Sequence, residues 1–426
     1  MSNIAMKKKS YLSRREFLKV TAGVVGTMAT TSRGATPAPA AQTSAPASIN
    51  YWYWADPIQV QPIADSIKKF NDTHPTIKVQ GQLIGWNDYY STVINGLGAG
   101  SPPDALRFKD WWMGEFVKAG ALEPLGGYLS AWKGKADVTA NLWGLQQYSP
   151  TDPLYMLPWI AVYLYLYYLV DWFKEAGLNP PQTLDEFLIA ARKLTKAPDR
   201  YGFGLRGSRG GHDAWAMLTW PNGLRFADQG GKIILDNDDA VQANQWYLDL
   251  YLKEKVAPPS APADGFNEIV AAFQAGKTAM TVHHVGSSAG LQRVLGDKFA
   301  ATPMPGGPKG RFSIVAVDYN AITKMSKQKD AAFTFISWLA EKEQNDFYAT
   351  AGSVLPVLDS LKDKYAAINR FYKASTDSIP YAGNYPLIPT LGKWTEMIWP
   401  PTMQQALNGQ IDSKTTVKTL ADGLRG

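Results

Sequence analysis

The chain contains no cysteine, which excludes disulfides, thiolate metal sites, a cysteine nucleophile and a lipid-modified N-terminal cysteine. Histidine is scarce. His74, His212, His283 and His284 are the only four, and no two of them stand at the i, i+4 spacing that puts a pair of imidazole ligands on one helix face. His283 and His284 are adjacent in a predicted strand, so their side chains are expected on opposite faces, one packed and one facing a cleft. Neither a metal nor a cofactor is expected. Basic charge is missing where a polyanion would need it. The formal net charge is +6, but Lys7, Lys8, Lys9, Arg14, Arg15, Lys19 and Arg33 against the single acid Glu16 place the whole excess in residues 1–40. The neutral remainder lacks the dense basic surface that sequence-independent phosphate contacts require, so no nucleic-acid partner is expected. No self-similarity recurs at a period of about 20–50 residues, which excludes a solenoid or propeller. What is present, 45% hydrophobic and 19% charged residues over 426, describes a globular protein with enough chain for two lobes.

The basic excess belongs to a leader. Ser13-Arg14-Arg15-Glu16-Phe17-Leu18-Lys19 precedes an apolar stretch over 20–29 and then Ala38-Pro39-Ala40, the charged, apolar and small-residue regions of an export signal in the right order. It resembles the twin-arginine signal, which implies transport after folding and a periplasmic location. The mature chain is expected to start near Ala41, with 41–48 as a flexible lead-in. Lacking a cysteine to lipidate, the protein is expected to diffuse freely between two membranes. A second apolar run, 154–170, is interrupted by Pro158, and Tyr163, Tyr165 and Tyr167 alternate with Val162, Leu164 and Leu166. That period of two predicts a strand buried on both faces rather than a membrane span.

Three strand-then-helix units follow the leader. Residues 49–54 read as a strand, with Ile63, Ala64, Ile67 and Phe70 at helical spacing after it; 77–83 alternates, then Tyr90, Val93, Ile94 and Leu97 return to helical spacing; 103–108 is a short strand before Trp112, Phe116 and Val117. Such a series predicts an α/β fold with a parallel, doubly wound sheet whose ligand crevice lies beyond the carboxyl ends of the strands. Thr183-Leu184-Asp185-Glu186 is a capping box that opens a helix. Strands are predicted at 202–206, 278–282 and 312–317, and helices at 240–253, 266–274, 331–339 and 343–350, with the Gly/Pro-dense 303–308 as a linker.

Three motifs tempt and fail. Gly202-x-Gly204-x-x-Gly207 fits the dinucleotide fingerprint as a string, but a helix precedes it and a loop follows, whereas pyrophosphate needs amides at a helix start. Gly276-Lys277-Thr278 has Ala271 where a P-loop needs its first glycine. Gly286-Ser287-Ser288-Ala289-Gly290 resembles a nucleophile elbow, yet all four histidines precede Ser288, the reverse of the α/β-hydrolase order.

All 15 tryptophans lie after residue 50. Trp172, Trp246 and Trp338 fall at helix positions where packing suffices. Trp54 and Asp56 follow the first strand, Trp86 the second, and Lys109, Asp110 and Trp111 the third. Flat rings for apolar C–H faces and carboxylates or an ammonium for hydroxyls are what a sugar or polyol site needs. Several further segments, Leu157-Pro158-Trp159 through Tyr168, Trp172-Phe173-Lys174-Glu175-Ala176-Gly177-Leu178, Pro181 through Phe187, Phe273 through Met280, and Ala331 through Leu339, resemble in order the extracellular solute-binding proteins of ABC importers, the maltose-binding-protein-like cluster. The resemblance implies two αβ lobes joined by hinge strands, a carbohydrate held in the cleft between them, and delivery to a permease of the inner membrane by a monomeric, non-enzymatic protein. It divides the chain into 49–158 plus 306–358 as lobe 1 and 159–305 plus 359–426 as lobe 2. It implies ligand contacts at Trp54, Asp56, Trp86, Lys109, Asp110, Trp159, His284 and Trp394, with Asp318 and Tyr319 beyond a hinge strand as further candidates. Trp54, Trp86, Trp159 and Trp394 would stack on the ligand, Asp56, Asp110 and Asp318 would accept from its hydroxyls, and Lys109 and His284 would orient it. Two alternatives stay open. Paired acids among the 37 would suit a secreted glycoside hydrolase, and a non-sugar solute such as an opine, polyamine or osmolyte would need other charges, with Arg206 and Arg209 available to an anion.

Overall fold

The computed structural model describes residues 46–147, 152–228 and 231–426; the leader and its cleavage site lie outside the described residues. The chain begins as the alternation requires. β1 (Ala47–Tyr53), β2 (Ile77–Leu83) and β3 (Ala105–Lys109) pair in parallel in the order β2-β1-β3. The helix Val60–Thr73 between the first two buries Ile63, Ile67 and Phe70 against them, the stripe that its 3.6-residue spacing dictates. β3 is then joined by the antiparallel β8 (Ser313–Ile322), and β8 by β4 (Met156–Leu169).

β4 is where one half of the molecule becomes the other. Its residues Met156 to Tyr163 pair with β8, while Leu164 to Leu169 pair with β6 (Thr278–His284) and β7 (Phe299–Thr302). β5 (Tyr201–Gly204) adds to β6 in parallel. Helices cover both half-sheets, so two αβ lobes share the long strands β4 and β8, and two short strands, β9 (Leu355–Pro356) and β10 (Ala382–Gly383), brace them. The run 154–170 is thus a shared strand, 14 residues long and buried over nearly all its length, because it is covered on both faces.

Two sequence readings shift. The last hinge strand runs to Ile322 rather than ending at 317, so Asp318 and Tyr319 lie within it and face opposite sides. The Gly202 fingerprint has a packing cause: a Cβ at Gly202 would sit 2.0 Å from the Ala191 carbonyl oxygen, so glycine lets β5 touch the helix Leu184–Leu194. That helix opens on the expected capping box, with Thr183 Oγ1 accepting from the Glu186 amide and the Glu186 carboxylate from the Thr183 amide. Among the described residues no helix is long and apolar enough to cross a membrane.

Asn345 ties three segments together. Its amide donates to the Trp159 carbonyl at 2.5 Å and its oxygen accepts from the Val357 amide at 3.2 Å, with the side chain fully buried. Asn345→Ala strands a buried acceptor and a buried donor, and is expected to cost about 3 kcal/mol, read as a lower urea midpoint than the parent's.

Candidate functional site

The strands that carry the sheet also aim the site. Where β1, β2, β3 and β6 end, the chain turns into a helix or a 3-10 turn, and those turns, with the loop after β5 and the facing stretches of β4 and β8, enclose a cavity of about 370 Å³ between the two half-sheets. Trp54, Asp56 and Gln59 come from the end of β1, Trp86 and Asn87 from the end of β2, and Arg107, Lys109 and Trp111 from β3. The opposite lobe supplies Arg206, His212 and Asp213 after β5, Phe266 and Asn267 at a helix start, and His283 and His284 from β6. The helices Trp86–Gly98, His212–Thr219 and Phe266–Gln274 all present their first turns, so the walls are rich in free amides and in the positive ends of helix dipoles.

Its floor is a buried charge cluster. Arg107 and Lys109 alternate onto one face of β3, and Lys109 lies directly across from Asp318 on β8. Arg107 and Lys109 both pair with Asp318, with all three side chains almost wholly buried. Arg107 also donates to the Trp54 carbonyl at 2.7 Å and to Gln59 Oε1 at 3.2 Å. Its guanidinium lies between two indoles, 4.5 Å from the Trp54 ring and 5.2 Å from Trp159. Burial alone pushes the Asp318 carboxyl up, but the two cations more than offset it and hold its pKa below the usual carboxylate value.

Burial favours the neutral form of the three cavity histidines. Burial lowers His212 to about 4 and takes His283 well below its ordinary value; His284 is also lowered, chiefly by burial. His283 and His284 do not point apart as strand alternation predicts: their ring centroids are 4.5 Å apart and both line the cavity. β6 ends at His284 and the chain turns at once, its Gly286 amide donating to His284 Nδ1, which folds the second ring back beside the first. Ser287 Oγ lies 3.0 Å from His283 Nδ1, so a preceding histidine does reach this serine pair, through Ser287 and not Ser288. Among the described residues no three His, Asp or Glu side chains are grouped to hold a metal ion.

Of the ten residues singled out in the sequence, Trp54, Asp56, Trp86, Lys109, His284 and Asp318 line the cavity. Four do not, which corrects the expectation for each. Trp159 sits at a β-bulge in β4, where the register shifts between Pro158 and Ile160. It is fully buried against Tyr348 at 4.3 Å and backs Arg107 from behind. Tyr319 takes the face opposite Asp318 and donates to the Leu142 carbonyl at 3.0 Å. Trp394 lies in a π-helical turn, fully buried, its indole donating to the Leu420 carbonyl at 2.8 Å beneath His212. The residues that sequence reasoning missed are Arg107, inside a strand that reads as packing, and His212, Asp213, Phe266 and Asn267, at helix starts whose approach to β1–β3 no local signal announces.

Asp110 is the fourth. It opens the 3-10 turn after β3 and is buried; one oxygen accepts from Asn384 at 2.6 Å and the other has no partner. Burial raises its pKa to about 7, against the pull of Lys109. The folded state therefore keeps a proton that the unfolded chain loses near pH 4, so its contribution to stability is complete below about pH 4 and is lost as the pH rises through 7. Asp110→Asn should match the parent's urea midpoint at pH 4 and exceed it at pH 8.

Residues 33–346 match the family described as bacterial extracellular solute-binding protein. A binding protein of Brucella abortus is 25% identical over 370 residues, which span 84% of this chain and 88% of that one. The mannitol-binding protein of Pseudomonas aeruginosa is 27% identical over 346 residues, 76% of each chain. Among solved structures, an ABC transporter solute-binding protein of Thermotoga lettingae bound with α-D-tagatose has a TM-score of 0.81 at 23% identity, covering 89% of this chain and 98% of that one. Another from Agrobacterium vitis with bound D-mannitol has a TM-score of 0.75 at 24% identity, covering 89% and 97%. These structures share the fold, two αβ lobes on common strands with a cleft between. With the match running through β8 and into the helices that follow, the chain belongs to the bacterial extracellular solute-binding proteins.

Proposed function

We propose that this protein is the periplasmic solute-binding component of an ABC importer, and that it captures a short carbohydrate or polyol and hands it unchanged to an inner-membrane permease. One observation carries the reading: a cavity shared by both lobes, in which the indoles of Trp54 and Trp86 stand beside Asp56, Lys109, Asp318 and His284. Indole rings cover the C–H faces of a sugar while the charged groups exchange hydrogen bonds with its hydroxyls. At about 370 Å³ the cavity is near the lower end of ligand pockets, which run from about 300 to 1,000 Å³, so one or two sugar units suit it better than a long oligosaccharide. The relatives and neighbours that carry mannitol or tagatose in their descriptions support the same class.

In this reading 49–158 plus 306–358 form one lobe and 159–305 plus 359–426 the other, with β4 and β8 as hinge strands. Ligand touching both lobes shifts the population toward a closed form. Contacts across the cleft support it: Arg209, held within its own lobe by Glu396, donates to the Asn87 carbonyl, and His284 Nε2 lies 3.8 Å from Asp56 Oδ2. Export by the twin-arginine route and a monomeric, cofactor-free, non-catalytic protein complete the proposal.

A panel of monosaccharides, disaccharides and polyols should contain at least one compound that shifts the intrinsic tryptophan fluorescence and raises Tm. At a free concentration one hundred times Kd the stabilisation is about 2.7 kcal/mol. The compound should be recovered intact; no response across the panel, or release of reducing ends, sinks the proposal. Asp56 is half-buried with only His284 beside it, so Asp56→Ala should leave the urea midpoint unchanged and weaken that ligand by about 1.5–3 kcal/mol, the worth of a hydrogen bond to a charged group.

A further inference from the structure

The two walls of the cavity are not balanced alike. Under Trp54 each cation has a direct carboxylate partner: Asp318 pairs with both Arg107 and Lys109. On the opposite wall Arg206 has no such answer. Its Nε is buried without a hydrogen-bond partner, and among the described residues it makes no ion pair, unlike its neighbour Arg209, which is held by Glu396. A Cβ on Gly210, whose φ is +81°, would lie 2.2 Å from one terminal nitrogen and 2.5 Å from Cζ, so the loop after β5 uses its glycine to let the guanidinium lie flat against the backbone. The Phe266 ring lies 5.9 Å away on another side.

His212 stands beside it, only 3% exposed, with neither ring nitrogen hydrogen-bonded and Asp213 Oδ1 no nearer than 3.5 Å. The same residue starts the helix His212–Thr219, whose first amides face the cavity. Asp213, the carboxylate nearest to both, already accepts from the Tyr385 hydroxyl at 2.8 Å. Burial lowers the Arg206 pKa to about 10, which still leaves it a cation at neutral pH. Asp213, Glu396 and Glu268 lie near enough to act on the part-buried guanidinium, but none bonds it directly, and its fork matches a carboxylate in two parallel hydrogen bonds.

We infer that the guest carries one carboxylate, and that the cleft selects an acidic monosaccharide, a uronic or aldonic acid, with Arg206 paired to the carboxylate and His212 hydrogen-bonded beside it. The inference rests on the carbohydrate reading above and names the class within it. The hydroxyl-bearing part then faces Trp86, Asp56 and Lys109 on the other wall. One guanidinium fork with no direct carboxylate partner suits a monoanion, where a phosphate dianion would be under-neutralised.

Isothermal titration of the parent chain at pH 7 decides it, using matched pairs: galacturonate with galactose, glucuronate with glucose, gluconate with sorbitol, and glucose 6-phosphate as the phosphate arm. At least one acid should bind about a hundredfold more tightly than its neutral partner, the scale of a buried charge pair that loses one member. Arg206→Gln should remove that preference, weakening the acid far more than its neutral partner. Arg206→Lys, which keeps the charge and loses the fork, should retain the preference in weakened form and serves if the glutamine variant does not fold. Neutral compounds binding as well as or better than their acids would overturn the inference and leave the carbohydrate reading standing, as would a loss in Arg206→Gln equal for both members of a pair. Preference for the phosphate arm would overturn the carboxylate assignment. If no saccharide of either kind binds, both readings fall.

Discussion

The buried cluster of Arg107, Lys109 and Asp318 is the constraint on which the cleft is built. Two cations and one carboxylate are held out of water at the point where β3 meets β8, and breaking such a cluster by removing one member costs about 3–5 kcal/mol. The protein keeps it because every part is answered: Asp318 by the two cations, the guanidinium by the Trp54 carbonyl and Gln59, and its faces by Trp54 and Trp159. Since β8 continues into the other half of the molecule beside β4, fixing Asp318 also fixes one of the two strands about which the lobes would move. The floor of the cavity and the base of the hinge are one structure.

Around that floor the walls are polar. Three cavity histidines are held neutral by burial, and several helices offer their first turns. The result is a site of fixed hydrogen-bonding direction, with donors and acceptors set by backbone geometry and by packed rings. Binding in such a site depends on a guest reaching both walls, because each lobe alone exposes only half of the partners. That is the physical basis for capture by closure.

How much of this was legible depended on sequence distance from a strand end. The place of Trp54, Asp56, Trp86 and Lys109 at the cavity was legible because in a parallel sheet the residues just past a strand lie at the crevice, and that rule is local. Trp159 and Trp394 were misjudged because an indole has the same signature in a core as in a cleft. A one-residue bulge at Pro158 and Ile160 turns the first inward, and a π-helical turn packs the second under His212. Tyr319 was lost to a strand end placed five residues early, which hid its alternation with Asp318. Arg206 was noticed as a charge, but its isolation became visible only when the acids near it proved to be engaged elsewhere.

The sequence by itself determined the α/β class, the order of strand and helix and the long two-faced strand over 156–169, because these follow from periodicity, caps and spacing within short windows; the family came from the resemblance of ordered segments along the chain. Tertiary structure decided which side chains share the cavity, which charges are answered and which histidine rings converge. Those outcomes depend on contacts between residues far apart in the chain, such as Arg107 with Asp318 or His284 with Asp56, and on bulges and turns that move a side chain from one face to the other at almost no cost to the local pattern.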